Sequence, residues 1–468
     1  MGRVRHLHMV GIGGIGMSSI AEVLINRGFR VSGSDLKKSP VTAHLEELGA
    51  TVHEGHAAEN IEGADVVVYS SAVKPDENPE TAEAQRRFVP IIKRAEMLGE
   101  LMRAKRGVGV AGTHGKTTTT TMVGLVAQQA GLDPTIIVGG KVAVFGSNAV
   151  AGGGDLIVIE ADEYDRTFLR LTPIHAVVTN IEEDHLDIYR DLDDIKDAFV
   201  QYCNSVPFFG AAIVCLDDEN VRSVLGRITR RVVSYGTSRQ ATLRAENVEQ
   251  LGATTCFDVF QGAERLGGVV LHAPGLHNVR NALAAVAVGL EIDLDFATIA
   301  AGLAEYTGVD RRFEVKGAGA AYDGSPGGVL LVDDYAHHPT EVEATLQAAA
   351  RGWPDRRIVA VFQPHLYSRT QDLAEEFARA FYDADVLVVT DVFPAREAPI
   401  PGVTGQLIAD KARDYGHRDV HYVSQKGALA AALQGITQGG DLVLTMGAGD
   451  IYKFGEAFLA SLSPAEAS

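Results

Sequence analysis

Short apolar runs recur along the chain, each closed by glycine, serine or an acid and followed by a longer stretch with apolar positions at helical spacing. The first, His6-Leu-His-Met-Val10, leads into Gly11-Ile-Gly13-Gly14-Ile-Gly16 and a helical run to Arg27. Arg30–Asp35 and Ala64–Ala72 read as further strands of the same block. Val108–Ala111, Leu156–Glu160, Ala176–Asn180 and Ala212–Leu216 make a second set, and Val329–Asp333, Ile358–Phe362, Val386–Thr390 and Leu442–Met446 a third. Short apolar runs alternating with helical segments predict parallel sheets, an α/β chain of the doubly wound kind. The expected division is into three domains, residues 1–103, 104–307 and 308–468. The basic stretch Arg103 to Arg106 reads as a linker, and an Ala-rich helical run from His277 ends the second block near Tyr306.

Composition narrows the class. The chain has 468 residues, of which 46% are hydrophobic and 22% charged, enough for several packed cores. A formal charge of −19 with no compensating basic stretch argues against nucleic acid or an anionic membrane as a partner. Cys203, Cys215 and Cys256 are far apart and show no metal spacing, which fits a reducing compartment. Arg3 and Arg5 precede an apolar stretch, but glycines interrupt it and no clean cleavage site follows, so it does not read as a signal peptide. No run approaches the ~20 apolar residues of a membrane span. A cytoplasmic protein is expected.

Candidate chemistry lies where strands end. Gly112-Thr113-His114-Gly115-Lys116-Thr117-Thr118 follows an apolar run and opens into a helix, so backbone N–H groups and the helix dipole converge on one spot. Lys116 adds a mobile cation and Thr117 a hydroxyl able to ligate Mg beside a triphosphate, although Val110 stands where the usual first glycine would be. Gly11, Gly13, Gly14 and Gly16, with Asp35 downstream, fit a turn that admits a pyrophosphate: either NAD or a pyrophosphate-bearing substrate satisfies it. Ser70 and Ser71 could bond that ligand or cap their strand. Glu160 closes an apolar run and is followed by Asp162, Glu163 and Asp165; it suits Mg, which usually takes one or two carboxylates. His185 in an acidic turn is either a further ligand or a solvated histidine. Asp333-Asp334-Tyr335-Ala-His337-His338-Pro339 puts two histidines at a helix start marked by Pro339. With Tyr335, these histidines could bind a carboxylate or phosphate or handle protons, or merely cap the helix; His365 and Arg369 follow the next strand, beside them.

Taken together, GIGGIGM at Gly11–Met17, AGTHGKTT at Ala111–Thr118, EADEYD at Glu160–Asp165 and NIEEDHLD at Asn180–Asp187 resemble the Mur ligase family. So do HNVRN at His277–Asn281, DDYAHHPTE at Asp333–Glu341 and GAGDI at Gly447–Ile451. The resemblance implies an N-terminal Rossmann-like domain for a UDP-sugar, a central P-loop-type ATPase domain and a C-terminal Rossmann-like domain. It implies ATP and Mg, with UDP-N-acetylmuramate and L-alanine joined through an acyl phosphate in peptidoglycan precursor synthesis. Lys116 would then neutralise the transferring phosphate, and Thr117, Glu160 and His185 would ligate Mg. His277, Asn278, Asn281, Arg312 and Asp333 would hold nucleotide, and Tyr335, His337, His365 and Arg369 would orient alanine and the reacting carboxylate. A family member that adds a preformed tripeptide shares these motifs; the Gln363–Thr370 stretch favours alanine. Outside the family, a nicotinamide dehydrogenase and a non-catalytic nucleotide switch are the competing expectations.

Overall fold

The computed structural model describes residues 3–70, 72–142, 145, 147–185, 188–318, 328–395 and 397–462. Among these residues three sheets form, as the alternation of strand and helix predicts, and the chain divides into two compact units. The first unit comprises residues 1–248, 257–270 and 279–307, so the first two predicted blocks share it; the second comprises 249–256, 271–278 and 308–468.

The first sheet is all parallel, in the order Thr51–Glu54, Arg30–Asp35, His6–Val10, Val66–Tyr69, Ile91–Lys93. Each change of winding direction opens a crevice at the carboxyl ends of its strands, and Gly11 starts there, directly after the central strand. Leu7 and Met9 pack with Ile20 and Leu24 of the helix Ile15–Asn26, while Val10 and Val67 face a separate cluster on the other side. Alternate residues of one strand are therefore buried on opposite faces, as in a sheet covered on both sides.

The second sheet follows the order Glu264–Leu271, Thr254–Gln261, Leu243–Leu251, Val232–Gly236, Ala211–Cys215, His175–Val178, Arg106–Ala111, Leu156–Glu160, Thr135–Val142, Ser147–Val150. Its centre is parallel, and the strand preceding the Gly-Lys-Thr loop lies between Leu156–Glu160 and His175–Val178. The stretch Arg103 to Arg106 is not a free linker. The helix Arg94–Arg103 runs to its first residue, and Arg106 begins a strand with its N–H on Asp155 O at 2.7 Å.

In the second unit the strands run Glu314–Ala318, Leu330–Asp334, Leu442–Met446, Ile358–Phe362, Val386–Thr390, Val420–Val423, parallel except for the first pair. Val332, Ala360, Leu387 and Leu444 lie in one core cluster and Leu331, Val361, Val388 and Val443 in another, so both faces are covered. Residues 249–256 also belong to this unit: Gly252 N–H donates to Gly352 O at 3.1 Å, and Gln250 Nε2 to Ala348 O at 2.8 Å. Among the described residues no helix is long and apolar enough to cross a membrane.

Candidate functional site

The phosphate loop of the first unit is shaped by backbone geometry. Gly112 (φ +138°) and Gly115 (φ +80°) sit in conformations that strain any side chain. A Cβ on Gly112 would lie 1.9 Å from Thr179 Oγ1, and one on Gly115 2.6 Å from Asn281 Oδ1, so a side chain at either position forces a neighbour to shift. Asn281 thereby stands against the loop. Gly115 caps the helix Lys116–Gln129 without any side-chain bond, which leaves the first-turn N–H groups available to an anion. From behind, residues leaving the neighbouring strand brace the turn. Asn180 Oδ1 accepts His114 N–H at 2.8 Å, Thr179 Oγ1 donates to His114 O at 2.6 Å, and Glu182 N–H donates to Thr113 Oγ1 at 2.8 Å. Thr118 is buried in the helix.

Lys116 Nζ donates to both carboxylate oxygens of Glu163 at 2.8 Å each and to Gly112 O at 2.8 Å. Burial opposes the ammonium charge, but Glu163 with Asp162 and Glu160 outweighs it and holds the lysine above its ordinary pKa. For Glu163, burial works against ionisation, and Lys116 and His185 reverse it, leaving the carboxyl below its usual range. Thr117 Oγ1 donates to Glu160 Oε2 at 2.9 Å and Gly139 N–H to the same oxygen at 2.7 Å; burial pushes the Glu160 carboxyl up. A hydroxyl and a carboxylate in contact at the foot of a phosphate loop are the hard oxygen donors that Mg takes, so these residues fit that ion. His185, in a left-handed turn, is placed on acids: Nε2 is 3.6 Å from Glu163 Oε1 and 3.8 Å from Asp184 Oδ2. Burial lowers its basicity, and these carboxylates raise it beyond the ordinary value.

The glycine loop of the first sheet is built in the same way. Gly11 and Ile12 N–H donate to Ser34 O at 2.8 and 3.0 Å, Gly13 N–H donates to Asp35 Oδ2 at 2.8 Å, and Gly14 caps the helix with no side-chain bond. Ser70 lies just beyond its strand with its N–H on Val10 O at 3.1 Å; Ser71 lies outside the described residues. Arg94, which spacing did not single out, stands over this turn: its Nη1 is 2.5 Å from where a Cβ on Gly16 would be. A cavity of about 380 Å³ opens nearby, lined by Tyr69, Val73, Lys74, Lys93 and Asp165 among others. Beneath the sheet edge Glu80 is fully buried, accepting from Ser34 Oγ at 2.6 Å and Asn60 Nδ2 at 2.6 Å, with His56 Nδ1 at 3.2 Å. Burial would raise this carboxyl, but those partners and His8 bring it down to about 2.

The second unit gathers most of its candidates at the start of the helix Pro339–Gly352. The rings of Tyr335 and His337 are 5.2 Å apart, and those of His337 and His365 5.7 Å. Glu341 accepts His337 N–H at 3.0 Å, His338 N–H at 3.3 Å and Arg312 Nη1 at 3.2 Å. His337 is kept neutral at physiological pH. Burial drives its pKa down to about 4 despite Glu341, and the charge of Arg369 adds to the effect. Asp333 is fully buried between Arg311 Nε (3.0 Å) and Thr445 Oγ1 (2.7 Å). Its neighbour Asp334, pushed up to about 6 by burial, accepts from Phe313 and Ala336 N–H at 2.8 Å each. His277 and Asn278 also fall in this unit, Asn278 Nδ2 donating to Pro274 O at 2.8 Å. The residues that sequence reasoning did not single out, Glu163, Arg94, Arg311 and Glu341, are partners of the motif residues. Only the acid run after Glu160 and the last acid of DDYAHHPTE gave a signal for any of them.

A strand, a Gly-Lys-Thr turn and a helix, with the Thr117 hydroxyl set against a carboxylate and a second uncapped glycine turn in the same unit, make the geometry of a nucleotide-using enzyme. The sequence comparisons agree: the chain matches the Mur ligase family catalytic domain over residues 6–106, the Mur ligase middle domain over 110–289 and the Mur ligase glutamate ligase domain over 311–449. The chain belongs to the Mur ligase family. It is 64% identical over 462 residues to the UDP-N-acetylmuramate–L-alanine ligase of Salinibacter ruber, covering 99% of this chain and 96% of that protein. The enzyme of the same name from Geobacter sulfurreducens is 52% identical, covering 99% of each. Among solved structures, the UDP-N-acetylmuramate-alanine ligase MurC of Thermotoga maritima matches with a TM-score of 0.77 at 30% identity, covering 97% of this chain and 98% of that one. A murein peptide ligase from Psychrobacter arcticus matches with a TM-score of 0.67 at 25% identity, over 99% of this chain and all of the other.

Proposed function

We propose that this chain joins L-alanine to the lactyl carboxylate of UDP-N-acetylmuramate at the expense of ATP, an early step of peptidoglycan precursor synthesis in the cytoplasm. The observation that carries the reading is the Gly112–Thr117 loop with Lys116 and the Thr117–Glu160 pair, in a chain so similar to ligases of that name. The loop N–H groups and Lys116 bind the β- and γ-phosphates, where positioning and charge neutralisation supply most of the catalysis. Mg, when bound at Thr117, Glu160 and His185, supplies further neutralisation of the phosphate oxygens. Gly11–Gly16 and Arg94 take the UDP diphosphate.

A carboxylate is a poor electrophile, so its oxygen first attacks the γ-phosphorus and ADP leaves. The uncharged amine of alanine then attacks the carbon of the resulting acyl phosphate, and phosphate departs with the C–O electron pair. Tyr335, His337, His365 and Arg369 hold the amino acid and the reacting carboxylate in place.

ADP release should require UDP-N-acetylmuramate and L-alanine together. A coupled ADP assay comparing L-alanine, glycine, L-serine and the tripeptide L-alanyl-γ-D-glutamyl-meso-diaminopimelate decides the matter. Turnover with the tripeptide and none with L-alanine would assign the chain to the murein peptide ligases instead.

A further inference from the structure

We infer that Glu163 stands in for phosphate in the nucleotide-free protein: its carboxylate keeps Lys116 at the phosphate position and has to be displaced by ATP. The inference rests on the reading of Gly112–Thr117 as an ATP cradle. Lys116 is saturated by acceptors of the protein itself. Its three N–H bonds face four acceptors, namely Gly112 O at 2.8 Å, Thr113 O at 3.2 Å and the two Glu163 oxygens at 2.8 Å each. The pair is shielded, with the lysine side chain 14% exposed and the glutamate 4%.

The glutamate is held from behind. Tyr189 Oη donates to Glu163 O at 2.6 Å, and His185 Nε2 lies 3.6 Å from its carboxylate. Just downstream, Asp165 and Arg166 both take left-handed backbone (φ +53°), and Arg166 is tied to Asp194 at 2.6 Å and lies over the Tyr189 ring at 4.7 Å. A buried ion pair contributes little net stability compared with an apolar pair of similar size, so this bracing points to a role beyond holding the fold.

Such a carboxylate has two opposite effects on an anion. It keeps the lysine pre-positioned over the loop rather than free in solvent, which lowers the ordering cost of binding. It also competes for that lysine and repels incoming negative charge at short range. A small anion with few contacts, such as inorganic phosphate, cannot compensate for parting the pair. A nucleoside triphosphate, which bonds several loop N–H groups at once, can. Glu163 is thus a positioning and selectivity residue that keeps the product phosphate from occupying the cradle.

The test is calorimetric titration of the full-length protein with ATP and, separately, with inorganic phosphate, both in EDTA. Glu163→Gln removes the charge and keeps the shape. It should tighten metal-free ATP binding at least tenfold and bring phosphate binding into the measurable range, while Glu163→Asp should bind as the parent does. A Glu163→Gln protein that binds metal-free ATP no more tightly than the parent overturns the inference. The melting curve and circular dichroism of Glu163→Gln, set beside those of the parent, establish that the variant is folded. If the parent itself binds no ATP, the cradle reading fails and this inference with it; if the parent binds and the glutamine variant is no tighter, only the inference fails.

Discussion

Arg94 is a cation against the first turn of an uncapped helix, in a protein whose formal charge is −19. A charge-assisted bond from a guanidinium to a diphosphate is worth about 1.5–3 kcal/mol. Arg94→Ala should therefore raise the KM for UDP-N-acetylmuramate at least tenfold and leave the KM for ATP unchanged, with Arg94→Lys in between. An unaltered sugar-nucleotide KM would show that the guanidinium does not reach the diphosphate. His337 supplies a second residue-scale prediction. Its pKa falls from 6.5 to about 4 on folding, so the unfolded chain binds the extra proton, and the stability gained above pH 6.5 is lost as pH falls toward 4. Asp334, raised from 3.8 to about 6, has the opposite slope: its contribution is complete below 3.8 and is lost as pH rises through 6. The two largely cancel between roughly pH 4 and 6. Replacing His337 by Gln should unmask the Asp334 slope, shifting the stability difference from the parent by about 2 kcal/mol in favour of the variant between pH 7.5 and 5. Urea unfolding at both pH values measures this; an equal difference at both would contradict the neutral, buried histidine.

At the scale of elements, the helix Lys116–Gln129 depends on the left-handed turn before it. Gly115→Ala places a methyl group in that turn and 2.6 Å from Asn281 Oδ1. The turn alone should cost about 1–2 kcal/mol, and the shift of the loop should weaken ATP binding more than tenfold, read by calorimetry and thermal unfolding. ATP affinity equal to the parent's would show that the loop tolerates another geometry. The loop was legible because its signal is local: strand, glycines, lysine and threonine are contiguous. Strand positions were legible for the same reason, but their ends were not. The expected Ala176–Asn180 is His175–Val178, because Thr179 and Asn180 leave the sheet to brace the loop at His114. The expected Ala64–Ala72 narrows to Val66–Tyr69, with Ala64 N–H turned onto Ile61 O. Leu243–Leu251, Thr254–Gln261 and Glu264–Leu271 went unmarked because alternate residues face solvent, and their polar positions mask the apolar ones.

Across the whole molecule, the three-domain α/β class was legible because doubly covered parallel sheets leave unbroken apolar runs, and because seven motifs occur in the order of one family. What spacing could not show were partners distant in the chain: Glu163 is 47 residues from Lys116, and Arg94 far from Gly16, so only folding joins them. The crowding around Gly112 and Gly115 has a consequence for inhibition. A compound that engages this turn through main-chain amides alone would meet positions where a larger residue crowds Thr179 and Asn281. A resistant variant would then have to shift those neighbours and, with them, the turn itself, which leaves few routes of escape from such a drug.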